Sequence, residues 1–213
     1  MLTPRRKSDT YHHGDLKDSA ISVGLKLVQG HGIHALGIRK VAEKLSVTPA
    51  ALYRHFENID ALKLEMSSHV SAQLAEEMVA KRNRVSKNSS KKEFAGKRFY
   101  AIGEAYLDFA RKEPKLFEIA FYCLTNPEIW ADDNTEDQSW KVLDEGISEL
   151  CDAGLLRRES QEDFGRFAWS AVHGLATLVS QGFIHENDYP KFKKDVLGGV
   201  KASMKSMSSK LST

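Results

Sequence analysis

The residues from Lys44 to Leu62, "KLSVTPAALYRHFENIDAL", carry the strongest structural signal in the sequence. Pro49 suits the first turn of a helix, where its missing N–H leaves no hydrogen bond unmade. Thr48, directly before it, is predicted to be the N-cap, with its hydroxyl accepting a hydrogen bond from a free backbone N–H. Leu52 and Phe56, four residues apart, predict one buried face on this helix.

A second short helix is predicted immediately before that one, over residues 38–45. The two helices are joined by only the three residues "SVT". Helices joined so tightly cannot lie antiparallel and must cross steeply, which is the helix-turn-helix arrangement. Their apolar side chains are predicted to form one small core, made of Val41, Leu45, Val47, Leu52 and Phe56.

The opposite face of the helix that begins at Pro49 is predicted to be exposed and to suit a DNA duplex. Its first turn carries small side chains, and the next turn carries a phenol, a guanidinium and an imidazole. Small side chains let a helix approach base edges in the major groove, and hydrogen-bond donors hold phosphates. The residues on this face are Thr48, Pro49, Ala50, Tyr53, Arg54 and His55. The alternative is that the last three only solvate the outer face of a core helix.

The rest of the chain has helical periodicity almost throughout, so the sequence predicts an all-α fold of about nine helices and no sheet. A basic segment, residues 81–98, separates two regions. The predicted organisation is a flexible basic arm over residues 1–13, a helix-turn-helix domain over 14–60, a second helical domain over 61–208 and a tail over 209–213.

Aromatic residues of the second region predict a pocket. Trp169 and His173 lie four residues apart and therefore share one helix face. An apolar pocket with one or two polar groups is typical of a small-molecule site. The other candidate lining residues are Phe99, Tyr106, Phe109, Phe117, Phe121 and Phe183. The alternative is that aromatic residues at helical spacing simply fill a core.

The last two long helices, predicted over 160–186 and 190–208, are candidates for a dimer surface. Small side chains let two helices approach closely, and this region contains several of them. They are Gly174, Ala176, Gly182, Gly198 and Gly199. Packing within one chain would use these small residues equally well.

Composition and motifs narrow the class of protein. The chain has 213 residues, of which 41% are apolar, and a net charge of +2. No apolar run approaches the roughly 20 residues of a membrane helix, and no signal peptide is evident, so we expect a cytoplasmic protein.

Metal binding and catalysis find no support in the sequence. The close histidine pairs, His12 with His13 and His31 with His34, have no other ligands at metal-binding spacing. Phosphate-binding loops, nucleophile elbows and paired catalytic carboxylates are missing as well. The sequence therefore predicts no metal, no cofactor and no enzyme activity. Cys123 and Cys151 lack paired spacing and are expected to be reduced thiols.

Two longer segments resemble a known family. Residues 11–62 contain "YHHGDLKDSAISVGLKLVQGHG" and "GIRKVAEKLSVTPAALYRHFENIDAL", which resemble the N-terminal DNA-binding domain of TetR-family transcriptional regulators. The most specific part is "LYRHF" with a leucine six residues after it. "YLDFARKEPKLFEIAF" and "WSAVHGLATL" resemble the subset whose regulatory domain carries a Trp-His-Gly signature.

This resemblance implies a homodimer with a three-helix DNA-binding domain and a helical domain that dimerises and often holds a small effector. The partners implied are a double-stranded DNA operator, a second copy of the chain and a small apolar or amphipathic effector. By position, the DNA-contacting places of the family correspond to Arg39, Thr48, Pro49, Ala50, Tyr53 and His55. Arg54 and the arm residues Arg5, Arg6 and Lys7 are further candidates.

Three positions depart from the family pattern. Gly37 and Ile38 stand where a threonine usually begins the second helix, so a cap is lost. Ser46 replaces the turn glycine, and Ile59 replaces the lysine that usually begins the fourth helix and contacts phosphate. Losing one phosphate contact lowers the salt slope, the dependence of log K for DNA on the logarithm of the salt concentration, by about one unit.

The sequence as a whole indicates a TetR-like repressor that a small effector releases from DNA. One alternative is a DNA-binding regulator without a small ligand, controlled by a protein partner or acting constitutively. A third reading, an all-helical enzyme, lacks a candidate catalytic group.

Overall fold

A computed structural model of the chain describes residues 13–122 and 138–208. These residues form nine α helices and no strand, which confirms the predicted all-α class. The helices are α1 His13–His31, α2 Ile38–Lys44, α3 Pro49–Tyr53, α4 Ile59–Asn83, α5 Lys91–Lys112, α6 Pro114–Ala120, α7 Gln138–Asp152, α8 Gln161–Ser180 and α9 Tyr189–Ser208. The predicted basic arm up to residue 12, the tail over 209–213 and Cys123 lie outside the described residues.

The chain divides into two compact units, Met1–Met66 and Ser67–Thr213. In the first unit α1, α2 and α3 pack against one another. Leu52 and Phe56 are fully buried there, together with Val41 of α2, whereas Leu45 and Val47 are half-buried. Burial of these apolar side chains is what holds two such short helices in place, because helices of five and seven residues are unstable alone. The domain limits expected from the sequence stay a prediction.

The turn between α2 and α3 places Ser46 in a left-handed conformation, with φ of 56°. Ser46 N–H donates to the Glu43 carbonyl, and Val47 N–H donates to the Ala42 carbonyl. These two hydrogen bonds form a Schellman motif, which usually has glycine at the left-handed position. The motifs that end α7 and α8 follow that rule, with Gly154 at φ 68° and Gly182 at φ 76°.

Ser46→Gly is expected to raise the free energy of unfolding by about 1 kcal/mol. A residue with a Cβ loses roughly 1–2 kcal/mol in this conformation, and the greater freedom of glycine in the unfolded chain offsets part of the gain. Urea unfolding followed by circular dichroism measures the change. Ser19→Gly, inside α1, is the control and should destabilise by about the same amount. An unchanged or lower stability for Ser46→Gly would contradict strain at this turn.

In the second unit α5 is the central helix, and it packs against α6, α7, α8 and α9. Buried side chains between α5, α7, α8 and α9 include Ile147, Leu150, Phe164 and Val200. Two glycines of the second unit let neighbours approach closely. A Cβ on Gly103 would lie 2.8 Å from Leu197 Cδ2, and a Cβ on Gly146 would lie 2.6 Å from Ile102 Cδ1.

Two helices end earlier than the sequence pattern predicts. We expected the helix of the second unit to run over 160–186, but α8 ends at Ser180 because the Schellman turn at Gly182 stops it. We placed Phe56 on α3, which ends at Tyr53; the Phe56 N–H still donates to the Leu52 carbonyl at 3.0 Å. That hydrogen bond keeps Phe56 in the core beyond the end of the helix.

A cluster of charged side chains connects α4, α5 and α9 within the second unit. Asp108 Oδ2 lies 2.7 Å from Lys81 Nζ, and Asp108 Oδ1 accepts hydrogen bonds from Lys193 Nζ at 2.8 Å and Tyr189 Oη at 2.9 Å. Burial alone would raise the pKa of Asp108, but the hydrogen bonds from Lys193, Lys81 and Tyr189 outweigh it and lower the pKa to about 2. Burial and the hydrogen bond to Asp108 raise the pKa of Tyr189.

Asp108→Asn is expected to lower the free energy of unfolding by about 1–2 kcal/mol at pH 7, after allowance for partial exposure. Because folding lowers this pKa below its ordinary value of 3.8, the stabilisation is present above pH 4 and is lost as the pH falls to about 2. Urea unfolding at several pH values between 7 and 2 should show the two proteins converging at the acid end. Glu186→Gln, which removes the exposed ion pair with Arg111, is the control with little effect. A difference that persists unchanged at pH 3 would contradict this role of the Asp108 carboxylate.

Candidate nucleic-acid interface and ligand cavity

The outer face of α3 is exposed along its whole length. Thr48, Pro49, Ala50 and Arg54 are exposed, and the Tyr53 side chain is 54% exposed although its neighbour Leu52 is fully buried. His55 is half-buried, with its ring 6.4 Å from the Phe56 ring. Burial of Leu52 therefore forces the candidate DNA-contacting side chains outward, as expected for a recognition helix.

Thr48 occupies the N-cap position of α3, but its side chain makes no capping hydrogen bond. The sequence-based prediction of that hydrogen bond is wrong. Thr48 itself has extended backbone angles, and Pro49 follows at the first helical position. Since proline has no N–H, one of the free donors at the helix start is already missing. Thr48 is exposed and does not stabilise the start of α3 through its side chain.

Cations dominate the exposed face of α2. Arg39, Lys40 and Lys44 are exposed there, and Gly37 at its N-cap provides no side-chain cap. These cations take part in none of the ion pairs between the described residues. Unpaired cations on the surface attract a polyanion such as the phosphate backbone of DNA.

Ile59, which replaces the usual lysine, is the first residue of α4 and is half-buried. The helix start is capped instead by Asn58, whose Oδ1 accepts a hydrogen bond from the Ala61 N–H at 2.9 Å. An apolar side chain at residue 59 supplies no phosphate contact.

The second unit contains a cavity of about 810 Å³. Its walls come from α5, α7, α8 and α9, with Met78 of α4 at one place. Most of the wall is apolar. The central lining residues are Phe99, Ile102, Leu143, Phe164, Ala168, Val172, Leu197, Val200 and Met204. This volume lies in the range of sites that hold small molecules.

Four of the eight candidate pocket residues line this cavity: Phe99, Tyr106, Trp169 and His173. Phe117 and Phe121 are buried and do not line it; their rings lie 5.7 Å and 4.8 Å from the His173 ring. Phe109 is fully buried and also does not line it. Phe183, which follows the end of α8, is 70% exposed.

Aromatic stacking orders the polar part of the cavity wall. Trp169 stacks on His173 with an interplanar angle of 8° and a centroid distance of 4.8 Å. His173 Nδ1 lies 2.7 Å from Tyr106 Oη, within hydrogen-bond distance, and Trp140 meets Trp169 edge to face. The i, i+4 spacing puts the indole and the imidazole on one face of α8, and Tyr106 then holds the imidazole from α5.

Sequence reasoning missed the cavity residues of α7 and α9. Leu197, Val200 and Met204 line the cavity at spacings of three and four residues, on the last helix, which we had considered only as part of a dimer surface. Ala176, from the same assignment, is fully buried within the chain. In contrast, a Cβ on Gly174, Gly198 or Gly199 would meet nothing within 4 Å.

No group of three or more His, Cys, Asp or Glu side chains in the described ranges could hold a metal ion. Among the helices of residues 13–122 and 138–208, none combines the length and apolar character needed to span a membrane.

Comparison with known proteins identifies the family. The family model "Bacterial regulatory proteins, tetR family" matches residues 20–66. The family model "Tetracyclin repressor-like, C-terminal domain" matches residues 99–191. The chain belongs to the TetR family of transcriptional regulators. As members of this family bind DNA and regulate transcription, this TetR-family protein is a DNA-binding regulator and not an enzyme.

Individual relatives of this TetR-family regulator are distant. It is 20% identical over 169 residues, covering 79% of this chain and 81% of the other, to the uncharacterized HTH-type transcriptional regulator YobS of Bacillus subtilis. A TetR family transcription regulator from Marinobacter aquaeolei superimposes with a TM-score of 0.63 at 16% identity, covering 88% of this chain and 94% of that one.

A third similar structure, a protein of unknown function from Rhodococcus, gives a TM-score of 0.69 at 19% identity. The match covers 92% of this chain and 98% of that one. The solved structures therefore establish that the fold is shared along nearly the whole chain. The resemblance to the Trp-His-Gly subset stays a prediction.

Proposed function

We propose that this regulator is a cytoplasmic, homodimeric repressor that leaves its operator when a small apolar or amphipathic effector occupies the cavity. The main support is the cavity itself, about 810 Å³ with a largely apolar wall and the polar pair Tyr106 and His173. A cavity with few, localised polar groups can bind a small molecule tightly and still select its orientation. On this proposal residues 14–60 bind DNA, with help from the basic arm, and residues 61–208 bind the effector and dimerise.

DNA recognition is assigned to the exposed face of α3 and to α2. Thr48, Pro49 and Ala50 would approach base edges, because small side chains allow close contact in the major groove. Arg39, Tyr53, Arg54 and His55 would hold phosphates. Their exposure supports this assignment, since each is exposed or half-buried.

The homodimer is assigned to the outer faces of α8 and α9, which pack against each other. On α8, the exposed Phe167, Gly174 and Leu178 recur at spacings of seven and four residues, which is one helical stripe. Phe167 is 44% exposed and Leu178 is 43% exposed. A second copy related by a two-fold axis would cover this stripe with the same stripe of its partner.

The coupling between effector and DNA is assigned to α4, which begins at Ile59 in the first unit and ends at Asn83 in the second. Met78 lines the cavity. One turn later, Lys81 pairs with Asp108, and Arg82 pairs with Glu145 at 3.1 Å. An effector that favours one position of this turn would shift the equilibrium between two spacings of the recognition helices. The size of that shift is limited by the difference between its affinities for the two states.

Fluorescence anisotropy with DNA fragments flanking the gene of this protein tests operator binding. A specific fragment should bind, and a salt series counts its phosphate contacts. Arg39→Gln and Arg54→Gln should each lower the salt slope by about one unit. Lys26→Gln, an exposed cation on α1, is the matched control and should leave the slope unchanged. A shift for the control as large as for the two arginines would refute the assigned face.

The effector response is tested with Nile red, a neutral apolar dye that reports entry into a cavity by its own fluorescence. Gly96 lines the cavity, and its position has room for a side chain, with Leu155 Cδ1 at 3.6 Å from a Cβ. Gly96→Phe should therefore exclude the dye, whereas Gly96→Ala should admit it. If occupation of the cavity releases DNA, the dye lowers the affinity for operator DNA by some factor. Operator DNA must then lower the affinity for the dye by that same factor. Suppose that Gly96→Phe abolishes dye binding, but that the dye does not change the operator affinity of the wild-type protein. The cavity would then bind the dye without controlling DNA binding.

A further inference from the structure

The charged side chains that line the cavity are strongly biased toward one sign. Four lysines and one glutamate line it, which gives a local net charge of +3: Lys92, Lys97, Lys201, Lys205 and Glu93. Lys97 Nζ lies 2.6 Å from Glu93 Oε1, which neutralises that pair. Lys92, Lys201 and Lys205 take part in none of the ion pairs between described residues. The whole chain has a net charge of only +2, so this concentration of positive charge is local.

Lys92 and Lys205 lie toward the end of the cavity where α5 begins, and Lys201 lies one turn earlier on α9. A Cβ on Gly154, just past the end of α7, would lie 3.7 Å from Lys92 Cε. Ser208, at the end of α9, donates a hydrogen bond to the Leu155 carbonyl. The start of α5 and the ends of α7 and α9 therefore meet here. The exposed Lys205 lies about one turn before the end of α9, and the exposed Lys201 lies about two turns before it.

The opposite end of the cavity has a different character. Trp140, Trp169, Tyr106 and His173 line it. Along α5 the lining residues extend from Lys92 to Tyr106, fourteen residues, which is about 21 Å at about 1.5 Å per residue. The cavity is therefore elongated, apolar along its length and cationic at one mouth.

We propose that the cavity takes an amphipathic anion with a long apolar chain, bound with its anionic head group at Lys92, Lys201 and Lys205. This ligand class rests on the proposed function, because it assumes that the cavity is the effector site. An apolar chain gains free energy from leaving water along the apolar wall. Its head group stays at the exposed mouth, where three ammonium groups attract it without the cost of burying a charge. A free carboxylate and an acyl thioester of coenzyme A share this chemistry.

The test measures binding to the full chain by the change in tryptophan fluorescence, since Trp140 and Trp169 line the cavity. Dodecanoate, lauroyl-coenzyme A and dodecanol present the same chain with two anionic head groups and one neutral one. At least one anion should bind roughly tenfold or more tightly than dodecanol, and the difference should shrink in high salt. Tighter binding of dodecanoate would indicate a free acid, and tighter binding of lauroyl-coenzyme A would indicate a thioester.

A triple variant, Lys92→Gln with Lys201→Gln and Lys205→Gln, should lose roughly tenfold or more of the anion affinity and keep the affinity for dodecanol. The matched control is Lys112→Gln with Lys141→Gln and Lys191→Gln. It removes the same charge from exposed positions that do not line the cavity. Equal losses in the two triple variants would reduce the effect to general electrostatics and overturn the proposal.

Gly96→Phe should abolish binding of all three compounds, which places them in the cavity. If dodecanol binds as tightly as both anions, the cavity does not select an anionic head group and the proposed ligand class is wrong. An apolar effector, and with it the proposed function, would remain. Conversely, anions that bind through the three lysines without any change in operator affinity would uphold the ligand class and refute the proposed release from DNA.

Discussion

Leu52→Ala is expected to lower the free energy of unfolding of the first unit by roughly 2–5 kcal/mol and to abolish DNA binding as a consequence. Leu52 has no exposed surface and lies on a helix of only five residues. Leu52 is the buried residue of α3, so removing its side chain leaves a void in the core that also contains Val41 and Phe56. Thermal and urea unfolding measure the stability, and anisotropy measures the affinity for operator DNA.

Tyr53→Ala is the matched control, because Tyr53 is the next residue and is 54% exposed. It should change the stability by less than about 1 kcal/mol while weakening DNA binding directly. The two variants thus separate loss of the scaffold from loss of a contact. A stability for Leu52→Ala within about 1 kcal/mol of wild type would show that α3 does not depend on this core.

Leu178→Glu is expected to convert the proposed homodimer into a monomer at micromolar concentration. In a two-fold interface each substitution occurs twice, and a buried unpaired carboxylate costs several kcal/mol. Sedimentation velocity measures the mass. Because a monomer contacts only one half-site, its operator affinity should fall by more than about a hundredfold.

Lys141→Glu introduces the same side chain on the exposed face of α7, and it should remain dimeric. Circular dichroism of both variants should match wild type, since Leu178 is partly exposed and its loss opens no internal void. A Leu178→Glu protein that still sediments as a dimer would exclude the outer face of α8 as the interface.

Local patterns were sufficient to predict most of the helices and which face of α3 is exposed. Leu52 and Phe56 at i and i+4, with Pro49 before them, predicted which side of α3 is buried, because that depends on the pitch of a helix and on apolar burial alone. The Trp169 and His173 spacing predicted a shared face for the same reason. Helix ends were less predictable. The end of α8 depends on a left-handed backbone conformation at Gly182, which the spacing of apolar residues does not reveal.

Tertiary packing decided the features that depend on several helices at once. Whether an aromatic ring lines the cavity or lies behind it depends on where α5, α6 and α8 meet, so Phe99 lines it and Phe109 does not. Lys92 is more than a hundred residues away from Lys201 and Lys205 in the sequence. Only the packing of α5 against α9 brings these lysines to the same cavity. The left-handed Ser46 is likewise a result of packing, because burial of Val41 and Leu52 holds the turn in a conformation that serine does not favour.

Periodicity within a helix is a short-range property that a sequence displays directly, whereas a cavity is the space left between helices whose contacts are long-range.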